Sequence, residues 1–112
     1  MTPDAFRRLA LRLPGAMEGT HMGHADFRVV GKIFATLGHP SVEFATVLLA
    51  PEEQASFVAA EPTFVPVKGG WGRKGSTNVR LKSASQSAVE KALLLAWKRK
   101  APKRLAAGLT DL

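Results

Sequence analysis

With 112 residues, the chain has the size of one domain that buries one hydrophobic core, and we expect a single domain over residues 1–112. A hydrophobic fraction of 46% against 22% charged residues indicates a globular protein rather than a disordered one, and no internal repeat is visible. The sequence contains no cysteine, which excludes disulfides, thiolate metal sites and thiol nucleophiles.

Positive charge is concentrated in the second half of the chain. Residues 1–62 contain five lysines and arginines against seven acidic residues, whereas residues 63–112 contain eleven against two. The net charge of +7 therefore arises wholly after residue 62. This asymmetry predicts an acidic partner, with nucleic acid as the first candidate, and solubility is the alternative explanation.

The sequence shows no sign of membrane association or export. No apolar run approaches the roughly 20 residues that a membrane span needs. The start of the chain places Arg7, Arg8 and Arg12 through its only apolar stretch, which is unlike a secretory signal. We therefore expect a soluble cytoplasmic protein with no membrane partner.

The first predicted element is a helix that begins after Thr2, where proline and aspartate follow, and ends at Pro14. Apolar residues recur on one face of this helix at Phe6, Leu9, Ala10 and Leu13.

From Glu18 the apolar period changes to two, which indicates strands. Gly31-Lys32 fits a two-residue type II′ turn and sets Val29 opposite Phe34. In this register Phe27, Val29 and Phe34 share the core face. The opposite face carries an apolar patch that is suited to a protein partner or a dimer interface, formed by Val30, Ile33, Ala35 and Leu37.

The second half continues with alternating elements. A strand at Val42–Leu49 precedes a short helix in "PEEQASFVAAEP", and Thr63–Lys68 reads as a further strand. Trp71–Arg73 and Thr77–Lys82 read as the two arms of a hairpin. Ser83 or Ser85 then caps a last helix, whose apolar stripe comprises Val89, Ala92, Leu93, Ala96 and Trp97.

The element order is one helix, three or four strands, a helix, two or three strands and a last helix. Strands joined by short glycine turns pair antiparallel. We therefore predict a two-layer α+β fold with one twisted antiparallel sheet of five to six strands and three helices on one face.

Gly70, Gly72 and Gly75 have the GxGxxG spacing of a loop that wraps a nucleotide phosphate. A dinucleotide loop needs a helix directly after the glycines, but the residues from Ser76 to Lys82 alternate as a strand does. Ser76 also stands where a P-loop requires lysine. The spacing therefore does not predict a nucleotide site, and we expect no cofactor.

The glycine segment is better interpreted as the tip of a basic hairpin that contacts DNA phosphates. The residues assigned to this contact are Lys68, Trp71, Arg73, Lys74, Arg80 and Lys82. Trp71 lies beside glycines among these cations and is the candidate for stacking on a base. The alternative is a solvated edge hairpin whose charges discourage strand pairing between molecules.

A second basic run lies at the end of the last helix. Its candidate phosphate-binding residues are Lys98, Arg99, Lys100, Lys103 and Arg104, and Lys32 is added from the first hairpin. Cations at a helix C-terminus also favour the helix dipole, which explains part of the run without a ligand. Trp97 falls on the apolar stripe, so we place it in the core.

Metal binding and catalysis find little support in the sequence. Glu18, His21, His24 and Asp26 are all of ligand type, but His21 and His24 converge only if a turn at Gly23 brings them together. A small metal or anion site there remains an alternative. There is no GxSxG elbow, tyrosine, cysteine or obvious carboxylate pair, so we predict a non-enzyme.

Four segments together resemble the MmcQ/YjbR family of small bacterial proteins. They read "LPGAMEGTHMGHADFRVVGKIFATL", "PEEQASF", "FVPVKGGWGRKGSTNVRL" and "ALLLAWKRKAPKRL". The most specific parts are Pro14-Gly15 with Glu18, Gly31-Lys32, Pro51-Glu52-Glu53 and Trp71-Gly72.

The resemblance implies an α+β fold similar to bacterial frataxin and to type III secretion chaperones. It also implies DNA binding through two β-hairpin wings, here the turns at Gly31-Lys32 and at Arg73 to Ser76. Frataxin's iron binding uses an acidic first helix, whereas this chain has only Asp4 there beside three arginines, so iron is not carried over. The sequence therefore predicts a DNA-binding protein, and the alternative is a protein-binding or chaperone-like module.

Overall fold

The structure is a computed structural model that describes the backbone of residues 1–110 and the side chains of residues 1–108. The helices are α1 (Pro3–Leu11), α2 (Pro51–Ala60), α3 (Gly70–Arg73), α4 (Gln86–Lys100) and α5 (Lys103–Thr110), with a 3₁₀ turn at Leu81–Ser83. The strands are β1 (Ala16–His21), β2 (His24–Val29), β3 (Lys32–Leu37), β4 (Phe44–Leu48), β5 (Phe64–Pro66) and β6 (Ser76–Arg80).

All six strands form one antiparallel sheet in the order β1-β2-β3-β4-β6-β5. The helices α1, α2 and α4 pack on one face of this sheet, and we call the other face the open face. The predicted α+β fold with one antiparallel sheet is confirmed. None of the helices within residues 1–110 is long and apolar enough to cross a membrane.

The core lies between the sheet and the helices and follows the sequence periodicity. The predicted stripes of α1 and α4 are buried, apart from the partly buried Leu13, and Trp97 is fully inaccessible to solvent, as predicted. Its indole Nε1 donates to the carbonyl of Pro14 at 2.9 Å, which joins α4 to the start of β1. The predicted caps also form, since Thr2 accepts from Ala5 and Ser85 accepts from Ala88.

The predicted β2–β3 turn is placed one residue too late in the chain, so the predicted pairing is wrong by two residues beside the turn and by one residue at and beyond Phe27. The turn is Val30-Gly31, both with positive φ, so that Val29 pairs with Lys32. This is the backbone of a type I′ turn, whose twist matches the strands. Phe34 is then an extra residue between the pairs Arg28–Ile33 and Phe27–Ala35, which makes a β-bulge.

The bulge decides which side chains reach the core. Phe34 and Ala35 are both buried, and Leu37 is buried with them. The predicted apolar patch for a partner therefore does not exist on the open face, because two of its four members lie under the helices. Val30 stands exposed on the turn instead.

The predicted hairpin arm Trp71–Arg73 is also wrong, because these residues form the short helix α3 between β5 and β6. The second predicted wing is therefore a helical turn and not a β-ribbon tip. The strand predicted to run to Lys82 ends at Arg80, where the 3₁₀ turn begins. The helix α5 is longer than the single loose turn expected after Pro102.

Candidate nucleic-acid interface

Most of the predicted phosphate-binding cations lie at one end of the molecule. At this end β2, β4 and β5 finish and β1, β3 and β6 begin. We call it the basic end. The cations that it carries are Lys32, Lys68, Arg73, Lys74, Lys98, Arg99, Lys100, Lys103 and Arg104.

The basic run of α4 reaches this end because the helix crosses the sheet towards it. Arg99 donates from Nη1 to the carbonyl of Leu48, the last residue of β4, at 2.9 Å. The helix α5 follows, and Leu105 lies 3.6 Å from the position of a Cβ on Gly15, just before β1. The run therefore extends across the same end as the cations of the β5–β6 connection.

The α3 turn is anchored by a side chain that the sequence analysis did not single out. The amide of Gln54 on α2 donates to the carbonyls of Gly72 and Ser76 and to the hydroxyl of Thr77, at 2.9 to 3.2 Å. This partly buried amide fixes α3 against β6 and sets the positions of Trp71 and Arg73. Gln54 stands in α2 between Glu53 and Ala55, and no sequence pattern marks it for this contact.

The glycines of the GxGxxG spacing serve the backbone fold. A Cβ on Gly72 would lie 1.7 Å from the carbonyl oxygen of Val67, and one on Gly75 would lie 1.9 Å from that of Leu49. Gly75 also has φ +113°, which disfavours any side chain. Two of the three glycines are therefore required for close backbone contact, which accounts for the motif without a phosphate.

The cations of the basic end are largely free of internal partners. Within the described residues, the only lysines or arginines that form ion pairs are Arg7, Arg28 and Arg80, and none of these belongs to the basic end. Glu52 and Glu53 begin α2 near this end, but Glu53 accepts from the amide of Ala50 as part of the helix start. Unpaired lysines and arginines are available to an external anion.

Arg80 and Lys82 do not join this group, which corrects the prediction that they share the phosphate contact of Lys68, Arg73 and Lys74. They lie at the opposite end of β6, because Arg80 pairs with Phe44 at the start of β4. Arg80 is also 3.6 Å from the carboxylate of Glu43 and stacks over the ring of Phe44. Strand direction separates both residues from the basic end.

The open face carries a groove with a cavity volume of about 350 Å³. Its floor includes Ile33 and Leu48, and Trp71 stands at its basic end with 69% of its surface exposed. The Nζ of Lys74 lies 5.5 Å from the centre of the Trp71 ring. We call this the open-face groove; its full lining is His21, Met22, His24, Ile33, Thr36, His39, Thr46, Leu48, Val67, Trp71 and Ser76.

Three histidines lie at the other end of the groove. His21 and His24 pair across the β1–β2 turn, and the rings of His24 and His39 are 5.9 Å apart between centroids. Within residues 1–108, however, no three side chains of His, Asp or Glu are arranged to hold a metal ion. The structure therefore gives no support to the metal site that the sequence offers as an alternative at His21 and His24.

Arg28 and Asp26 form a close ion pair on the open face, which no sequence pattern indicates. Arg28 donates from Nε and Nη2 to the two carboxylate oxygens at 2.7 and 2.9 Å, while Asp26 is fully buried. The hydrogen bond to Asp26, and then the charge attraction, raise the pKa of Arg28 above its ordinary value. Arg28 is therefore occupied internally and is not counted among the free cations.

Comparison with known protein families supports a family assignment. The family model described as YjbR matches residues 11–99, from the end of α1 through nearly all of α4. This segment contains the entire sheet and the α3 turn, while Lys100, Lys103 and Arg104 follow it. No curated protein matches the sequence.

Proposed function

This chain belongs to the YjbR family, and we propose that it binds DNA by placing the phosphate backbone against the basic end of the sheet. The observation that carries the proposal is the convergence of the β5–β6 connection, the β2–β3 turn and the α4–α5 region on that end. The cations in these three parts of the chain form no ion pairs within the described residues.

The mechanism is electrostatic. Each cation that neutralises a phosphate releases condensed counterions, so the affinity falls as salt concentration rises. Contacts to phosphates position a protein on DNA but carry no sequence information. The basic end therefore supports binding with weak or no sequence preference, and no chemical step is assigned to the protein.

A titration of labelled duplex DNA at two salt concentrations tests the proposal. We expect binding at low salt, with log affinity decreasing by about 0.9 per contacted phosphate for each unit of log salt concentration. Replacing Arg73 and Lys74 by alanine removes cations from the basic end and lowers both the affinity and the slope. Fluorescence anisotropy measures both quantities.

The matched control is the double replacement of Lys82 and Lys91 by alanine. It removes the same formal charge from other parts of the surface, since Lys91 lies beside Glu61 and Ser85 in a separate cleft between α2 and α4. We expect this variant to bind within about twofold of wild type. Absence of binding at low salt, or equal loss in both variants, would refute the proposed site.

A further inference from the structure

The open-face groove begins at the basic end but differs from that end in the charge of its residues. None of its eleven lining residues is a lysine, arginine, aspartate or glutamate. Its volume of about 350 Å³ lies at the lower end of the range for small-ligand sites, roughly 300 to 1,000 Å³. A largely apolar groove thus opens beside a cluster of free cations.

Trp71 links the groove to the cations. Its indole is largely exposed although it is held on the α3 turn, so its position is set by the fold without burial of the ring. Lys68 precedes it, and Arg73 and Lys74 follow it in the same connection. An aromatic ring flanked by cations is the arrangement on which single-stranded nucleic acids stack their bases while their phosphates meet the charges.

The remaining lining supplies polar groups at the sides of the groove. The hydroxyls of Thr36 and Ser76 and the imidazoles of the three histidines offer donors and acceptors for a base edge. The hydroxyl of Thr46 is already bonded to Asn78 at 2.8 Å. The groove therefore combines an apolar floor, a stacking ring and hydrogen-bonding sides.

A paired base cannot use this groove, because its faces are covered by the neighbouring bases of the duplex. We propose that the open-face groove takes an unpaired base of single-stranded DNA, which stacks against Trp71 while the adjoining phosphates contact Lys68, Arg73 and Lys74. This inference rests on the proposed function, since the same basic end holds the phosphates. It adds a preference for single-stranded or locally melted DNA.

The two tryptophans make the inference testable in the unmodified protein. Trp71 is exposed, whereas Trp97 is fully buried and hydrogen-bonded to Pro14, so a change in emission on adding DNA reports on Trp71. A thymidine oligomer of roughly a dozen nucleotides exceeds the smallest site sizes of single-strand binders. We expect it to quench the emission and to bind about tenfold more tightly than a duplex of equal length. Thymidine monophosphate is expected to bind far more weakly, because it brings a single phosphate.

Variants of Trp71 separate stacking from charge. Stacking contributes about 1–3 kcal/mol per base, so Trp71→Leu should weaken oligomer binding by about tenfold, measured by anisotropy of a labelled oligomer. The same variant should weaken duplex binding less than it weakens oligomer binding, and Trp71→Phe should retain most of the oligomer affinity. Replacing the equally exposed Met17 by leucine, away from the groove, is the control and should change neither.

The outcomes distinguish this inference from the function on which it rests. If the duplex binds in a salt-dependent manner but the thymidine oligomer leaves the Trp71 emission unchanged, or if Trp71→Leu binds the oligomer as wild type does, the stacking site is overturned and the phosphate site is left standing. Tight binding of the monophosphate would show a nucleotide pocket and overturn the strand proposal. Failure of both DNA forms to bind at low salt would remove both proposals.

Discussion

Gly72 shows how one residue positions the candidate interface. Its Cα faces the carbonyl of Val67 so closely that no side chain fits, and its own carbonyl accepts from Gln54. Gly70, two residues earlier, has open space around it apart from a guanidinium nitrogen of Arg73 at 3.7 Å. A side chain is therefore excluded by backbone contact at Gly72 but has room at Gly70, although both glycines belong to the same apparent motif.

We predict that Gly72→Ala lowers the free energy of unfolding by at least about 2 kcal/mol, because the methyl group must displace backbone. Gly70→Ala is the control and should change it by less than about 0.5 kcal/mol. Urea denaturation followed by circular dichroism measures both. Equal stability of the two variants would contradict the close backbone contact.

At the scale of an element, the β2–β3 hairpin has an unfavourable residue in its turn. Val30 adopts φ +48° and is 62% exposed, so no burial of its side chain accounts for a β-branched residue in this conformation. Asparagine tolerates the left-handed region and, before glycine, is the preferred sequence of a type I′ turn.

We therefore expect Val30→Asn to stabilise the protein by about 1 kcal/mol, through relief of left-handed backbone strain. Val42→Asn is a suitable control, since Val42 is also exposed but has no positive φ. Thermal and urea unfolding of the two variants give the comparison. A Val30→Asn protein no more stable than the control would contradict the observed turn.

Elements with a regular period could be predicted from the sequence, and elements defined by distant contacts could not. The α4 stripe that ends at Trp97 repeats every three to four residues, so the buried face was evident. The four-residue helix α3 is too short to show a periodic pattern of apolar residues. Its shape depends on Gln54 and on the close approach of Gly72 to Val67. A local pattern of glycines and cations therefore suggested a hairpin tip.

The register of the first hairpin failed for a related reason. Local preference disfavours Val30 in a turn that requires positive φ, so glycine was placed first in the turn. Burial of Phe34, Ala35 and Leu37 under the helices favours the observed register instead. Packing across the whole sheet outweighs a local cost at one exposed residue.

The sequence indicated which basic residues could contact DNA, but it did not indicate which of them lie together. The basic residues were identified from charge alone, but strand direction determines which of them meet. Because β6 runs away from the basic end, Arg80 and Lys82 are carried to the opposite end, where Arg80 contacts Glu43. The α4 cations, by contrast, are brought beside those of α3 by a helix that no sequence pattern could orient.

At the scale of the molecule, the charge is polarised along the strand direction. The sheet core and the helix layer separate a basic end, whose lysines and arginines form no ion pair within the described residues, from an end where Arg80 is paired with an acid. Such a field steers an anionic partner towards one side of the protein and weakens with ionic strength. This polarity is the central claim of the proposed function.

Nuclear magnetic resonance locates the DNA contact most directly. A ¹⁵N-labelled sample of the full chain is titrated with a DNA oligomer at low salt, and the shifts of the backbone amides are followed. The account predicts that the amides of residues 67–76 and 98–105 shift most, that those of residues 40–44 and 80–84 stay in place, and that added salt reverses the changes. Shifts concentrated around residues 40–44 and 80–84, or none at either end, would contradict a DNA site at the basic end.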